Sequence, residues 1–101
     1  MPRPNSTKRE AASEALIELR QAMGKTQQEF STYILNSAIN TVARYETTHP
    51  PKGDALLRLA RIARDAATTA DNRAERATFE RLRATFKDIY KQEMMSQLET
   101  A

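Results

Sequence analysis

From Ala12 to Ile89 the apolar residues of this chain recur at steps of three and four, and nowhere do they alternate over the length of a strand. Such steps line side chains along one stripe of an α-helix, whereas a strand needs a step of two. The pattern restricts the chain to helices that pack by their stripes. Composition agrees: glycine occurs only at Gly24 and Gly53, and the strong helix formers Ala, Leu, Glu, Arg and Gln are abundant. The expected fold class is all-α, a compact helical bundle with a long C-terminal helix. With 101 residues there is room for one domain.

Local signals divide the bundle. Residues 1–6 are expected to form a flexible arm. Thr7-Lys8-Arg9-Glu10 has the spacing of a capping box and predicts a helix behind it, with Ala12, Ala15, Leu16, Leu19, Ala22 and Met23 inward and Gly24 as its stop. Thr26-Gln27-Gln28-Glu29 is a second capping box, opening a short helix to Leu35 with Phe30, Tyr33 and Ile34 as core contacts. Asn36 suits a left-handed turn, and Ser37 is placed to cap a third helix, 38–46, with Ile39, Val42 and Tyr45 inward. Two prolines and a glycine make 47–53 a loop. Asp54 is then expected to cap a fourth helix, 55–66, burying Leu56, Leu57, Leu59, Ala60, Ile62 and Ala63. A last helix, 72–97, carries a narrow seam of Phe79, Leu82, Phe86, Ile89 and Met94.

Several chemistries are disfavoured. Without cysteine there is no disulfide, cysteine-based zinc site or thiol catalysis. The lone His49 sits beside Pro50 in a loop, no Gly-rich phosphate loop is present, and the carboxylates are spread over helix surfaces. No catalytic residue, cofactor or metal site is expected. The N-terminal residues do not read as a signal peptide, and no apolar run approaches the ~20 residues of a membrane span, so a cytoplasmic protein is expected.

Charge adds a weak pointer. Residues 1–66 hold ten Lys/Arg against seven Asp/Glu, whereas 67–101 hold six of each. The excess positive charge lies in the part that would face a polyanion.

The helix–turn–helix spacing of Thr26 to Glu46 carries the functional reading. Asn40 and Arg44 are four apart, so they project from one helix face together with Thr41. Asparagine can bond adenine N6 and N7, and arginine guanine O6 and N7, each in bidentate fashion. Thr26 and Gln27 stand at a helix N-terminus, where free amides favour a phosphate. Small Ser31 lets the two helices approach closely.

Residues 16–63 resemble the Cro/repressor (Xre-type) helix-turn-helix family, through "Leu19-Arg20", "Thr26-Gln27-Gln28-Glu29-Phe30-Ser31", "Asn40-Thr41-Val42-Ala43-Arg44-Tyr45-Glu46", Pro51 and "Leu56-Leu57-Arg58-Leu59-Ala60". The resemblance implies a lambda-repressor-like bundle over 7–66 that binds double-stranded DNA, with Asn40, Arg44 and Thr41 reading bases and Gln27 on a phosphate. Thr26, Ser37 and Lys52 complete the expected phosphate contacts, and Arg3, Lys8 and Arg9 of the arm are weaker candidates. Glu46, Tyr45 and Val42 are expected to be structural, and Arg58, Arg61 and Arg64 to form a solvated stripe. Two departures stand out. Leu35-Asn36-Ser37 replaces the glycine usual in the turn, and Thr26 to Glu46 is one residue longer than the usual pattern.

The function implied is a sequence-specific transcriptional regulator, a repressor acting by occlusion. Residues 67–101 are expected to dimerise it through Phe79, Leu82, Phe86 and Ile89, presenting two reading helices to half-sites about 34 Å apart. The alternative is an antitoxin-like or phage-derived interaction protein whose last helix binds another protein.

Overall fold

A computed structural model describes residues 10–100, which form five helices and no strand. The arm 1–6 and the Thr7–Arg9 part of the first capping box lie outside the described residues.

Helix α1 spans Ala11–Ala22. Glu10 precedes it in an extended conformation (ψ 149°) and makes no side-chain cap. The third residue of a helix opening at Lys8 would need helical ψ, so the start expected behind Thr7 is corrected to Ala11. Ala12, Ala15, Leu16 and Leu19 are buried, while Ala22 is exposed. At the far end Gly24 takes φ +70°, its N–H bonds Gln21 O at 3.0 Å, and the Lys25 N–H bonds Arg20 O at 3.1 Å. This paired closure needs a left-handed residue, which glycine supplies at least cost.

Helix α2 opens at Gln27–Glu29 and continues as a π-helical turn, Phe30–Ile34. Its capping box is complete: the Glu29 N–H donates to Thr26 Oγ1 at 3.0 Å, and the Thr26 N–H to Glu29 Oε1 at 2.9 Å. In the π turn the Leu35 N–H reaches back five residues to Phe30 O, at 2.9 Å. The wider turn brings Leu35, five on from Phe30, round to the core side and swings Tyr33 out. Leu35 is accordingly buried, and Tyr33, expected in the core, is 79% exposed. A π turn also takes up one more residue than an α-helical turn. Asn36 follows in the left-handed region, φ 52°, as its side chain permits.

Helix α3 spans Thr41–Thr47, three residues shorter at its start than expected. Ser37 does not cap it, because the helix starts only at Thr41 with Asn40 before it, and the Ser37 hydroxyl instead donates to Leu35 O at 3.1 Å. Ile39 therefore lies in the turn before the helix and is 49% exposed, whereas Val42 is fully buried.

Helix α4 spans Asp54–Thr68 and α5 Arg73–Thr100. Gly53, not Asp54, is the residue before α4, so Asp54 sits in the first turn and favours it through its charge near the positive helix end. Leu56, Leu59, Ala60 and Ala63 are buried as expected, but Leu57 is turned to the surface. The short 69–72 link folds α5 back along α4, and α5 also crosses α1.

One expectation about α5 is overturned. Phe79, Leu82 and Phe86 belong to the same core as Leu16, Leu19, Phe30, Val42 and Leu59, and Ile89 packs against its edge. Phe79, Leu82 and Phe86 are enclosed by the protein's own helices and offer no face to a second copy, while Ile89 is half-buried at the rim. Each fully buried Leu or Phe contributes about 1.5–3 kcal/mol. A chain this small needs that area internally.

Candidate functional site

The turn between α2 and α3 is held from three sides. Buried Ser31 accepts the Val42 N–H on its hydroxyl at 2.9 Å, capping the first turn of α3 from α2. The Ser31 carbonyl accepts the Ser37 N–H at 2.8 Å. From α1, buried Ser13 donates to Tyr45 O at 2.6 Å. From α4, Arg58 donates to Leu35 O, placing a cation where α2 leaves carbonyls unpaired. Arg58 is exposed as expected and, in addition, bonds the turn. Arg64 lies beside Asp65 in solvent, and Arg61 is exposed.

The inner face of α3 is fixed by an ionic cluster. Glu46 is 3% exposed. Arg20 Nε donates to its Oε2 at 2.7 Å, and Gln27 Nε2 to its Oε1 at 2.8 Å. Arg20 also donates to Lys25 O at 3.0 Å. One carboxylate thereby joins α1, α2 and α3. Its burial also removes the only acidic group of α3 from the surface, leaving Arg44 as the charge on the outer face.

The outer face carries the expected reading residues. Asn40 and Arg44 are exposed, Thr41 is half-buried, and the Asn40 side chain makes no cap bond. The backbone joins the two ends of this face, because the Arg44 N–H bonds Asn40 O at 3.1 Å. Both side chains are free to reach a ligand: Arg44 stands on α3, anchored at Val42 and Glu46, and Asn40 is the residue immediately before that helix, in its N-cap position rather than inside it as expected.

The expected phosphate contacts fare unevenly. Gln27 has one amide hydrogen committed to Glu46, which orients the side chain and leaves its second hydrogen to donate. Thr26 Oγ1 accepts the Glu29 N–H and keeps its own hydrogen. Lys52 is exposed in the loop after α3. Ser37 has given its only hydroxyl hydrogen to Leu35 O, so it is not a phosphate donor in this conformation. Arg3, Lys8 and Arg9 lie outside the described residues. His49 is exposed, its ring beside the Thr48 hydroxyl. Among the described residues no cluster of three or more His, Cys, Asp or Glu could hold a metal ion, and no helix is long and apolar enough to cross a membrane.

Sequence reasoning passed over Ser13 altogether. Its one signal is position, three residues before Leu16 at the edge of the α1 stripe. No family model, curated protein or solved structure matches this chain.

Proposed function

We propose that this protein is a sequence-specific DNA-binding regulator that lays the outer face of α3 in the major groove. Asn40 and Arg44 read base edges, Thr41 lies beside them, and Gln27 with Thr26 and Lys52 contacts the phosphates on either side. One observation supports this reading above the rest: two side chains suited to bidentate base recognition stand exposed, Asn40 at the N-cap and Arg44 within a short helix whose opposite face is locked by Val42 and the Arg20–Glu46–Gln27 cluster. A reading helix must be held rigidly, since a misplaced donor loses both members of a bidentate pair. A bound protein of this size covers its site and represses by occlusion.

Selection of bound duplexes from a random pool tests the reading. A short enriched consensus, lost when Arg44 is replaced by alanine, is the expected outcome. Recovery of unenriched sequence would overturn it.

A further inference from the structure

Helix α5 has a second stripe, on the side away from the core. Ala84, Asp88, Lys91, Met95 and Leu98 follow one another at steps of four and three, the spacing of a helix–helix seam. Met95 and Leu98 on this stripe are 56% and 76% exposed. Ala84 and Lys91 also line an open groove of about 450 Å³ between α4 and α5, whose apolar wall includes exposed Leu57 and half-buried Tyr90.

We propose that this stripe is a homodimer surface, with a second copy of the chain as occupant of the groove. The charges argue for self-pairing. Asp88 and Lys91 have opposite sign, sit three apart on the stripe, and neither is bonded within the chain among the described residues. In an antiparallel pairing about a two-fold axis between Ile89 and Tyr90, Asp88 of each copy stands opposite Lys91 of the other. The same register sets Met95 of one copy opposite Ala84 of the other. Small Ala84 leaves room, and the Met95 thioether enters the groove beside Leu57 and Tyr90. A two-fold contact forms both ion pairs and both methionine insertions at once, and a charge pattern that is its own complement has no need of a different partner. The surface is independent of Asn40 and Arg44, so its test does not depend on DNA binding.

Sedimentation of the full chain over a wide concentration series gives that test. The wild type should pass from monomer to dimer as concentration rises. Asp88→Lys and Lys91→Asp each place two like charges in contact and should weaken association by about tenfold or more. The double exchange, carrying both substitutions, should restore it, and an equimolar mixture of the two single variants should form a heterodimer. Both positions are exposed, and circular dichroism checks that each variant folds. Met95→Lys, which places a charge in the groove, should abolish the dimer independently. A monomeric wild type at every concentration, single variants that associate as tightly as wild type, or a double exchange that stays monomeric would each overturn the proposal.

Discussion

Arg20 of α1 and Glu46 of α3, twenty-six residues apart, meet as an ion pair of 2.7 Å with the carboxylate almost wholly enclosed. Glu46 also holds Gln27. Removing it strands a largely buried guanidinium and frees the side chain at the start of α2. Glu46→Ala should therefore lower stability by about 3 kcal/mol, and Glu46→Gln, which keeps an acceptor for Arg20, by clearly less. Urea unfolding of the three proteins measures the difference, and an unchanged midpoint for Glu46→Ala would show that the cluster contributes nothing. The contrast is the Arg81–Glu18 pair between α5 and α1. There the hydrogen bond to Glu18 and, after it, the charge of Glu18 raise the Arg81 pKa, but both partners stand in solvent. Glu18→Gln should leave the unfolding midpoint unchanged.

Ser31 gives a subtler test, because its hydroxyl is the partner of a backbone N–H. Ser31→Ala removes one oxygen, creates almost no cavity, and leaves the Val42 N–H buried and unpaired. A cost of about 1–3 kcal/mol is expected. Hydrogen exchange localises it: the Val42 amide should lose protection before the amides of α4 and α5 do.

Much of the fold is legible in the sequence where the signal is local. The Thr26–Glu29 capping box, the left-handed Gly24 and Asn36, and the apolar stripes of α1 and α4 each depend on neighbours within a turn or two. Tyr33 and Ile39 are misread for one physical reason. Both predictions assume unbroken α-helical pitch, and the π turn at Phe30–Ile34 with the late start of α3 changes which residue faces inward. Leu57 is misread because an apolar stripe that includes it is wider than the face α4 buries, which Leu56, Leu59, Ala60 and Ala63 fill. The α5 seam is legible as a seam, but periodicity alone does not say what covers it, and its own α1 and α4 do. Ser13 to Tyr45, Ser31 to Val42 and Arg58 to Leu35 are long-range bonds of single polar side chains, and no local pattern announces them. Arg20 and Glu46 belong with these. At the candidate site the exposed placement of Arg44 is legible because it lies on the α3 face opposite Val42, and Asn40 stays near it because the Arg44 N–H still bonds Asn40 O although the helix begins one residue later.

Phe86 decides between a seam that holds the monomer and one that holds a dimer. It is fully buried against the core. Phe86→Ala should cost about 3–5 kcal/mol, a large share of the ~5–15 kcal/mol a small domain possesses. Since the covering residues come from the same chain, the loss should be the same at low and high protein concentration. A gap between the variant and wild-type midpoints that closes on raising concentration would place the seam between chains instead.

Arg44 and Gln27 should fail differently, and the difference identifies which surface meets the bases. Arg44 is exposed, and no bond of its side chain supports the fold. Arg44→Ala should keep wild-type stability, cost about 1–3 kcal/mol at the selected site and relax preference at one base pair. Gln27 serves the fold through Glu46 and, in the proposed reading, the phosphates. Gln27→Ala should lower the unfolding midpoint slightly, weaken binding to specific and unrelated duplexes alike, and leave the order of sequence preference unchanged. Titrations of each variant against the selected duplex and its single-base variants, at fixed salt, separate the two. If Arg44→Ala weakened all duplexes equally, Arg44 would be a phosphate contact, and base reading would have to come from Asn40 and Thr41.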